Sequence, residues 1–362
     1  MQIKAAVVRE PHGRFGIESA KLDSPRDDEV RVELVATGIC HTDLAIVEQL
    51  LPLPLPFVLG HEGAGVVVET GRAVTGLAKG DHVVLTFGSC GNCRDCSSGH
   101  PAYCESFPML NFAGRRADGS ATIEDSSGAP LNAVFFSQSS FATQAIAPAR
   151  NAIKVSKDAP LRLLGPLGCG FMTGAGTVLN VLKPRPDSTF VIFGTGALGF
   201  AALLAAKISG CRRIIAVDRV QTRLDLARDL GASDVIDTSR ANLGEALTAL
   251  GGIDRAIDTT GVPKVIEAAV AALNRCGELA LVGASAERSV TLETMPIISG
   301  RVIRGVTEGD ADPQQFIPYL VERFLANEFP IDRLAGFYPF ERINDAVADG
   351  LAGKTVKPIV EF

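Results

Sequence analysis

The chain carries no surplus of positive charge: 35 lysines and arginines stand against 41 aspartates and glutamates, a formal charge of −6 at pH 7. With no Lys/Arg cluster to offset that sign, a nucleic-acid surface is argued against. The opening "MQIKAAVVREPHG" has no apolar run of the kind a secretory leader needs, so none is readable. An uninterrupted membrane-length stretch is lacking too. The longest apolar run, "FVIFGTGALGFAALLAA" (residues 190–206), is marginal in length and holds three glycines near its start. It therefore reads as a buried strand, turn and helix. Internal repeats and low-complexity tracts are missing, which removes solenoids and linkers from consideration. What remains is a globular balance, 46% apolar and 21% charged. A length of 362 residues suits two domains, one of them discontinuous in sequence. The expected compartment is the reducing cytoplasm, where clustered cysteines bind metal or react more often than they bridge.

Residues 1 to about 155 read as mostly β, with short β-branched or alternating runs such as "EVRVELVATG", "GAGVVVET" and "DHVVLTF". The polar, glycine-rich "GRRADGSATIEDSSGAPLNAVF" reads as a loop-and-hairpin excursion. After Cys169 the texture changes. "STFVIFG", "RRIIAVD", "IDRAIDTTG" and "GELALVG" are apolar strands separated by helical patterns, which predicts βαβ units and a parallel sheet. From about Arg301 the character is mixed again, and "KTVKPIVEF" predicts a final strand.

Four of the eight cysteines, Cys90, Cys93, Cys96 and Cys104, are spaced C-x2-C-x2-C-x7-C. Such tight loops bring thiolates around one tetrahedral ion, and Gly91 and Gly99 permit the bends. Four thiolates close the coordination shell, so the ion would be a structural zinc. An iron–sulfur cluster is a second reading, though its usual spacing and following proline are missing. Two disulfides or free thiols are a third, disfavoured by compartment.

Other metal-type residues are scattered: Cys40 in "GICHTD", His61 and Glu62 in "GHEGAG", Cys169 in "GPLGCGFMTGAG". Two thiolates and one imidazole match a catalytic zinc that keeps its fourth position for water or substrate. Taken singly, each has a bland alternative as a buried small hydrophobe or a satisfied turn histidine. Glycine neighbours favour the metal reading, because a metal pocket needs close backbone approach. Cys211 and Cys276 read as packing residues.

"VIFGTGALGF" sets Gly194, Gly196 and Gly199 in G-x-G-x-x-G after a strand and at a helix start, with Ala197 and Leu198 inside the motif. The glycines allow the turn, the approach of a pyrophosphate and the packing of helix on strand. The anion would sit on the helix N-terminus. Asp218 ends the next strand, nineteen residues past Gly199, where a carboxylate takes ribose hydroxyls and repels a 2′-phosphate. NAD is thus favoured over NADP, with Arg219 beside it as a hedge.

Together, "GICHTD", "GHEGAG", the four-cysteine lobe, Cys169 and "GTGALG" resemble the zinc-dependent medium-chain alcohol dehydrogenases over essentially the entire chain. The stretches "VVLTF", "FFSQSSFATQA", "GPLGCGFMTGAGTVLN" and "FYPFERINDA" are most similar to the aryl-alcohol (benzyl-alcohol) branch, with terpene-alcohol dehydrogenases close by. The resemblance implies an α/β architecture: a Rossmann doubly wound parallel sheet inserted between two parts of a GroES-like, mainly-β catalytic domain. Residues 1–168 and 308–362 would form the catalytic domain, with a zinc lobe at 88–106. Residues 169–307 would bind the dinucleotide, with the active site in the cleft.

By motif position the resemblance implies that Cys40, His61 and Cys169 bind the catalytic zinc. Glu62 would stand behind it and approach it, and Asp43 would orient His61. Thr42 would hold the substrate oxygen and begin the proton path. His41 and Lys357 would meet the cofactor pyrophosphate, Arg223 the adenosine, and Thr173 and Val282 the nicotinamide. Arg223 and Lys357 read equally well as solvated charges. Leu51, Thr86, Phe87, Met109 and Ala284 would wall the substrate pocket. The proline-stiffened "LLPLPLPF" suits a flat apolar alcohol or is simply a packed loop. Many family members carry a histidine five residues after the first zinc-ligand cysteine; here that position is Ala45, so the proton path must end otherwise.

The implied activity is reversible oxidation of aromatic or allylic primary alcohols to aldehydes with hydride transfer to NAD, using two zinc ions per subunit. Alternatives are an aldehyde reductase acting mainly in reverse, or on terpene or aliphatic alcohols. A non-catalytic zinc- and nucleotide-binding protein is the alternative of another class. The expected partners are small alcohols and aldehydes, with no nucleic acid and no membrane, and the assembly a homodimer or homotetramer.

Overall fold

The computed structural model describes residues 1–284, 287 and 289–362. The run "EVRVELVATG" forms the strand Glu29–Gly38. Its alternate residues Val30, Val32 and Leu34 join Val67, Val83 and Leu85 in one core, as the two-residue period of a strand requires. It is antiparallel to Gly63–Thr70, Gln144–Pro148 and Lys357–Glu361 within a seven-stranded sheet. Thr37 stands opposite Gly63 and Gly38 opposite Ile359. The end of one strand and the beginnings of two others therefore meet at one edge, and that edge carries Cys40, His61, Glu62 and Lys357.

A five-stranded sheet pairs Gln2–Val8 with Gly16–Leu22 and Phe57–Val58, and continues into Ile123–Asp125 and Pro130–Leu131. The last two are the hairpin of the polar glycine-rich segment. Arg116, buried in that segment, donates to Glu29 and Asp23 and ties it down.

The second unit is a six-stranded parallel sheet in the order Asp234–Asp237, Arg213–Asp218, Thr189–Phe193, Ile253–Asp258, Leu273–Leu281, Val302–Gly305. The chain builds outward to one side of Thr189–Phe193, then returns and builds to the other, which is the doubly wound pattern. Strand Thr189–Phe193 is buried throughout, and its sequence is continuously apolar from Phe190 to Phe193. The apolar run of residues 190–206 is thus a central strand, a glycine turn and the helix Ala197–Ile208, buried from Gly199 to Ala206. Among the described residues no helix is long and apolar enough to cross a membrane.

The first unit comprises residues 1–169, 312–326 and 331–362, the second 170–311 and 327–330. The breaks expected at 168/169 and 307/308 thus fall slightly later. Cys169 goes with the first unit because its thiol converges on Cys40 and His61. Residues 308–310 go with the second, where Asn180 Nδ2 donates to the Gly309 carbonyl at 3.1 Å and Gly309 lies against Gly176.

Candidate metal centres and cofactor site

At the strand edge of the first unit, one ligand atom each from Cys40, His61, Glu62 and Cys169 lie within 4.8 Å of one another. Cys40 is the N-cap of helix His41–Val47, and Asp43 in the first turn of that helix organises the rest. Its Oδ2 accepts from the Cys40 backbone N–H at 3.0 Å; its Oδ1 accepts from the Gly60 N–H at 3.0 Å and from His61 Nδ1 at 2.9 Å. A carboxylate can only accept, so Nδ1 carries a proton and Nε2 is the nitrogen left to bind. Nε2 is buried and has no hydrogen-bond partner among the described residues. An orphaned imidazole nitrogen between two thiols suits a soft, nitrogen- and sulfur-loving cation such as zinc.

Charge in the site is organised the same way. Cys40 is held well below the ordinary thiol range, first by its hydrogen bond with Cys169, against the cost of burial, and then by the His61 and Lys357 charges. Burial works against a charged His61, but the Asp43 carboxylate outweighs it and raises the imidazole well above its usual value. Burial raises Glu62, although the Lys357 charge opposes it.

Lys357, expected to meet the cofactor pyrophosphate, is engaged within the first unit. Its side chain is 2% exposed; its Nζ pairs with Glu62 Oε2 and donates to the Ile39 carbonyl at 2.9 Å. A buried ammonium must take the nearest carboxylate, and here that is Glu62. Gly38 makes room for the pair, since a Cβ there would overlap Glu62 Oε2. His41 is exposed at the start of its helix, and the Thr42 hydroxyl lies 3.7 Å from Cys40 Sγ.

In the cysteine lobe, the Cys90–Cys96 and Cys93–Cys104 sulfurs are 3.9 and 4.0 Å apart. No disulfide has that length. Thiolates ~2.3 Å from a central ion would form a tetrahedron with edges of ~3.8 Å, close to both. Gly91 and Gly99 take φ of 77° and 90° at the bends. The Asn92 and Cys93 N–H groups lower Cys90 to about 6, and burial pushes Cys96 to about 12. The lobe is therefore poised to accept a cation but must shed protons to do so.

In the second unit, Gly194 has φ of 88°, and a Cβ on Gly199 would overlap the Gly194 carbonyl. Gly196 caps the helix Ala197–Ile208, and the space its Cβ would fill is open. With Ala197 and Leu198 in the first turn, the unpartnered N–H groups of a helix start are available to a phosphate. Asp218 Oδ2 accepts from the Thr195 N–H and hydroxyl, both at 2.7 Å, while Oδ1 accepts from the Arg219 and Val220 N–H groups at 2.7 and 3.0 Å. The carboxylate braces the glycine loop, a role the motif did not disclose. Arg223 Nε is buried with no hydrogen-bond partner among the described residues. Val282 donates its N–H to the Asp258 carbonyl at 3.0 Å, and buried Thr173 donates to Glu308 Oε2 at 3.2 Å.

The expected pocket residues divide. Thr86 is buried with its hydroxyl committed to the Gly168 carbonyl at 2.7 Å, so it braces the loop before Cys169. Phe87 is buried beside Phe107, whereas Leu51 and Met109 are 45% and 62% exposed. Ala284 is exposed and belongs to the second unit. Sequence reasoning missed Phe136, stacked on His61 at 4.5 Å, and Gln138, whose Nε2 donates to the His61 carbonyl at 2.9 Å. Their only signal was the stretch "FFSQSS", whose Phe136, Ser137 and Ser139 take positive φ.

Residues 26–157 match the alcohol dehydrogenase GroES-like domain family, and residues 197–325 the zinc-binding dehydrogenase family. The chain is 42% identical over 365 residues to the geraniol dehydrogenase of Castellaniella defragrans, covering 99% of this chain and 97% of that protein. It is 44% identical to the benzyl alcohol dehydrogenase of Acinetobacter calcoaceticus, whose crystal structure superposes with a TM-score of 0.96 over 100% of this chain and 99% of that one. An alcohol dehydrogenase zinc-binding domain protein from Burkholderia ambifaria is 49% identical, with a TM-score of 0.98 over the same shares.

Proposed function

The chain belongs to the zinc-binding alcohol dehydrogenases, with a GroES-like and a Rossmann-type domain, and from that premise we propose that it oxidises aromatic or allylic primary alcohols to aldehydes, reversibly, with NAD as hydride acceptor. The observation that carries this reading is the buried Cys40, His61, Cys169 set with its orphaned Nε2. A zinc ion supplied to that set would act as a Lewis acid on the alcohol oxygen and lower its pKa. Asp43 holds the Nδ1 proton of His61 and so aims Nε2. Lys357 holds Glu62. Phe135 and Phe136 pack against the imidazole and keep water from it. The Thr42 hydroxyl, able to donate and accept at once, takes the substrate proton outward. With Ala45 in the next turn, that path ends in water rather than on a histidine.

In the lobe, Cys90, Cys93, Cys96 and Cys104 would hold a second, structural zinc. For the cofactor, the glycine loop and helix start would take the pyrophosphate, and Asp218 would exchange its Thr195 hydroxyl for a ribose hydroxyl while repelling a 2′-phosphate. Free thiols throughout the described residues suit a reducing cytoplasm, and a homodimer or homotetramer is expected. The geraniol- and benzyl-alcohol-oxidising relatives favour a flat, unsaturated primary alcohol over ethanol.

The test is steady-state NADH formation by zinc-loaded protein with benzyl alcohol, geraniol and ethanol, repeated with NADP. Benzyl or geranyl alcohol well ahead of ethanol, with NAD preferred, is the expected outcome. Ethanol ahead removes the substrate reading, and NADP preferred removes the Asp218 argument. No turnover in either direction with both metals bound leaves a binding protein.

A further inference from the structure

The loop after the last strand of the parallel sheet bends sharply. Glu308, Gly309 and Asp310 all have positive φ, at 47°, 68° and 47°. Glycine takes this conformation freely and aspartate with little cost, but a glutamate does so only where its surroundings compel it. Those surroundings are plain. Asn180 Nδ2 donates to the Gly309 carbonyl, and a Cβ on Gly309 would meet the Met172 carbonyl and Gly176. The bend turns the Glu308 carboxyl inward, 7% exposed, where it accepts from the Thr173 hydroxyl at 3.2 Å. No step of the mechanism above uses it.

The topology says what lies near. A dinucleotide on a doubly wound sheet straddles the point where strand order reverses, at the carboxyl ends of the strands. Here that point lies between Thr189–Phe193 and Ile253–Asp258. Asp218 marks one side of the glycine loop, so the nicotinamide half must extend over the other, toward the ends of Leu273–Leu281 and Val302–Gly305. Leu281 and Gly305 are register partners, and the Val306 N–H donates to the Leu281 carbonyl at 3.0 Å. Val282 and the Thr307–Glu308 segment therefore leave the sheet side by side.

We propose that Glu308 sets the charge preference of the nicotinamide end: its buried carboxylate favours the cationic ring of NAD⁺ over the neutral ring of NADH. The proposal rests on the reading above that the glycine loop binds a nicotinamide dinucleotide. The adenosine and pyrophosphate of the two forms are the same, so a fixed anion near the ring acts on their difference alone. Burial keeps that interaction from being screened as it would be at the surface. The protein thereby loads the oxidised cofactor and lets the reduced one go.

The experiment is equilibrium binding of NAD⁺, NADH and ADP-ribose to zinc-loaded protein, for the wild type, Glu308→Gln and Glu308→Asp. Gln should raise the ratio of the NAD⁺ to the NADH dissociation constant by on the order of tenfold, as expected for one partly screened charge pair. Asp, which retains the charge and tolerates this backbone, should keep the ratio within about threefold of wild type. ADP-ribose, which lacks the ring, should bind all three alike. Glu308→Gly is a second removal of the carboxylate, at a φ where glycine is unstrained, and stands in if the Gln protein does not fold. An unchanged ratio in Gln and Gly, or equal weakening of every ligand, overturns the proposal and leaves Glu308 a packing residue. Failure of the wild type to bind either dinucleotide overturns the cofactor reading itself, a distinct result.

Discussion

Lys357 and Glu62 are charges that water scarcely reaches, at 2% and 0% exposure. Removing one partner of a buried pair leaves the other uncompensated, which costs about 3–5 kcal/mol, whereas replacing both is often close to neutral. Lys357→Met should therefore destabilise the metal-free protein by about that amount in denaturant unfolding, and Lys357→Met with Glu62→Gln should recover most of it. The sign of the pH dependence follows. Burial already raises Glu62, and loss of the opposing ammonium raises it further. Such a group favours the protonated native state, so stability is lost as pH rises through its folded pKa. The single variant's deficit should thus be smaller at pH 5 than at pH 8. Both residues stand out in the chain, yet their pairing does not, because a lysine near the C-terminus reads as a solvated charge until strand register, with Ile359 opposite Gly38, brings it to Glu62.

The cysteine lobe is an element with almost no core of its own: from Cys90 to Cys104 only Ala102 and Cys104 are buried. Its short helices Arg94–Ser97 and Pro101–Tyr103 are too brief to persist alone. Cys93→Ser should abolish metal binding in the lobe while the Cys40, His61, Cys169 site keeps its own. Metal analysis should fall from two ions to one per chain, and the melting temperature should drop by about 5–10 °C, taking ~2–4 °C per kcal/mol. Retention of both ions would remove the tetrathiolate assignment. The lobe and the glycine loop were both legible in the sequence, for one reason: their functional groups lie within a few residues of one another, where spacing dictates geometry. Phe136 and Gln138 were not, because what they support, His61, lies far away in the chain.

Across the whole molecule, carboxylates outside the core are held below their ordinary range by nearby donors: Asp118 by Arg26, Asp349 by Lys354. A depressed folded pKa contributes stability that is present above the unfolded value and lost as pH falls. The melting temperature should therefore be nearly level from pH 8 to 5 and decline below about pH 4. Because water reaches both groups, 0.5 M salt should flatten the decline. A melting temperature that falls steeply between pH 7 and 6 would point instead to a buried histidine.

Alternation and apolar runs were enough to make "EVRVELVATG" a strand and "FVIF" a buried strand of a parallel sheet, because the period of a strand is a local property. The G-x-G-x-x-G spacing and the C-x2-C-x2-C-x7-C spacing likewise carried their own geometry. Folding alone brought Cys40, His61, Cys169 and Lys357 to one sheet edge, turned Asp218 onto Thr195, and bent Glu308 beneath Thr173. Contacts of that kind depend on register and on the crossing of distant strands, so no short stretch of the chain encodes them.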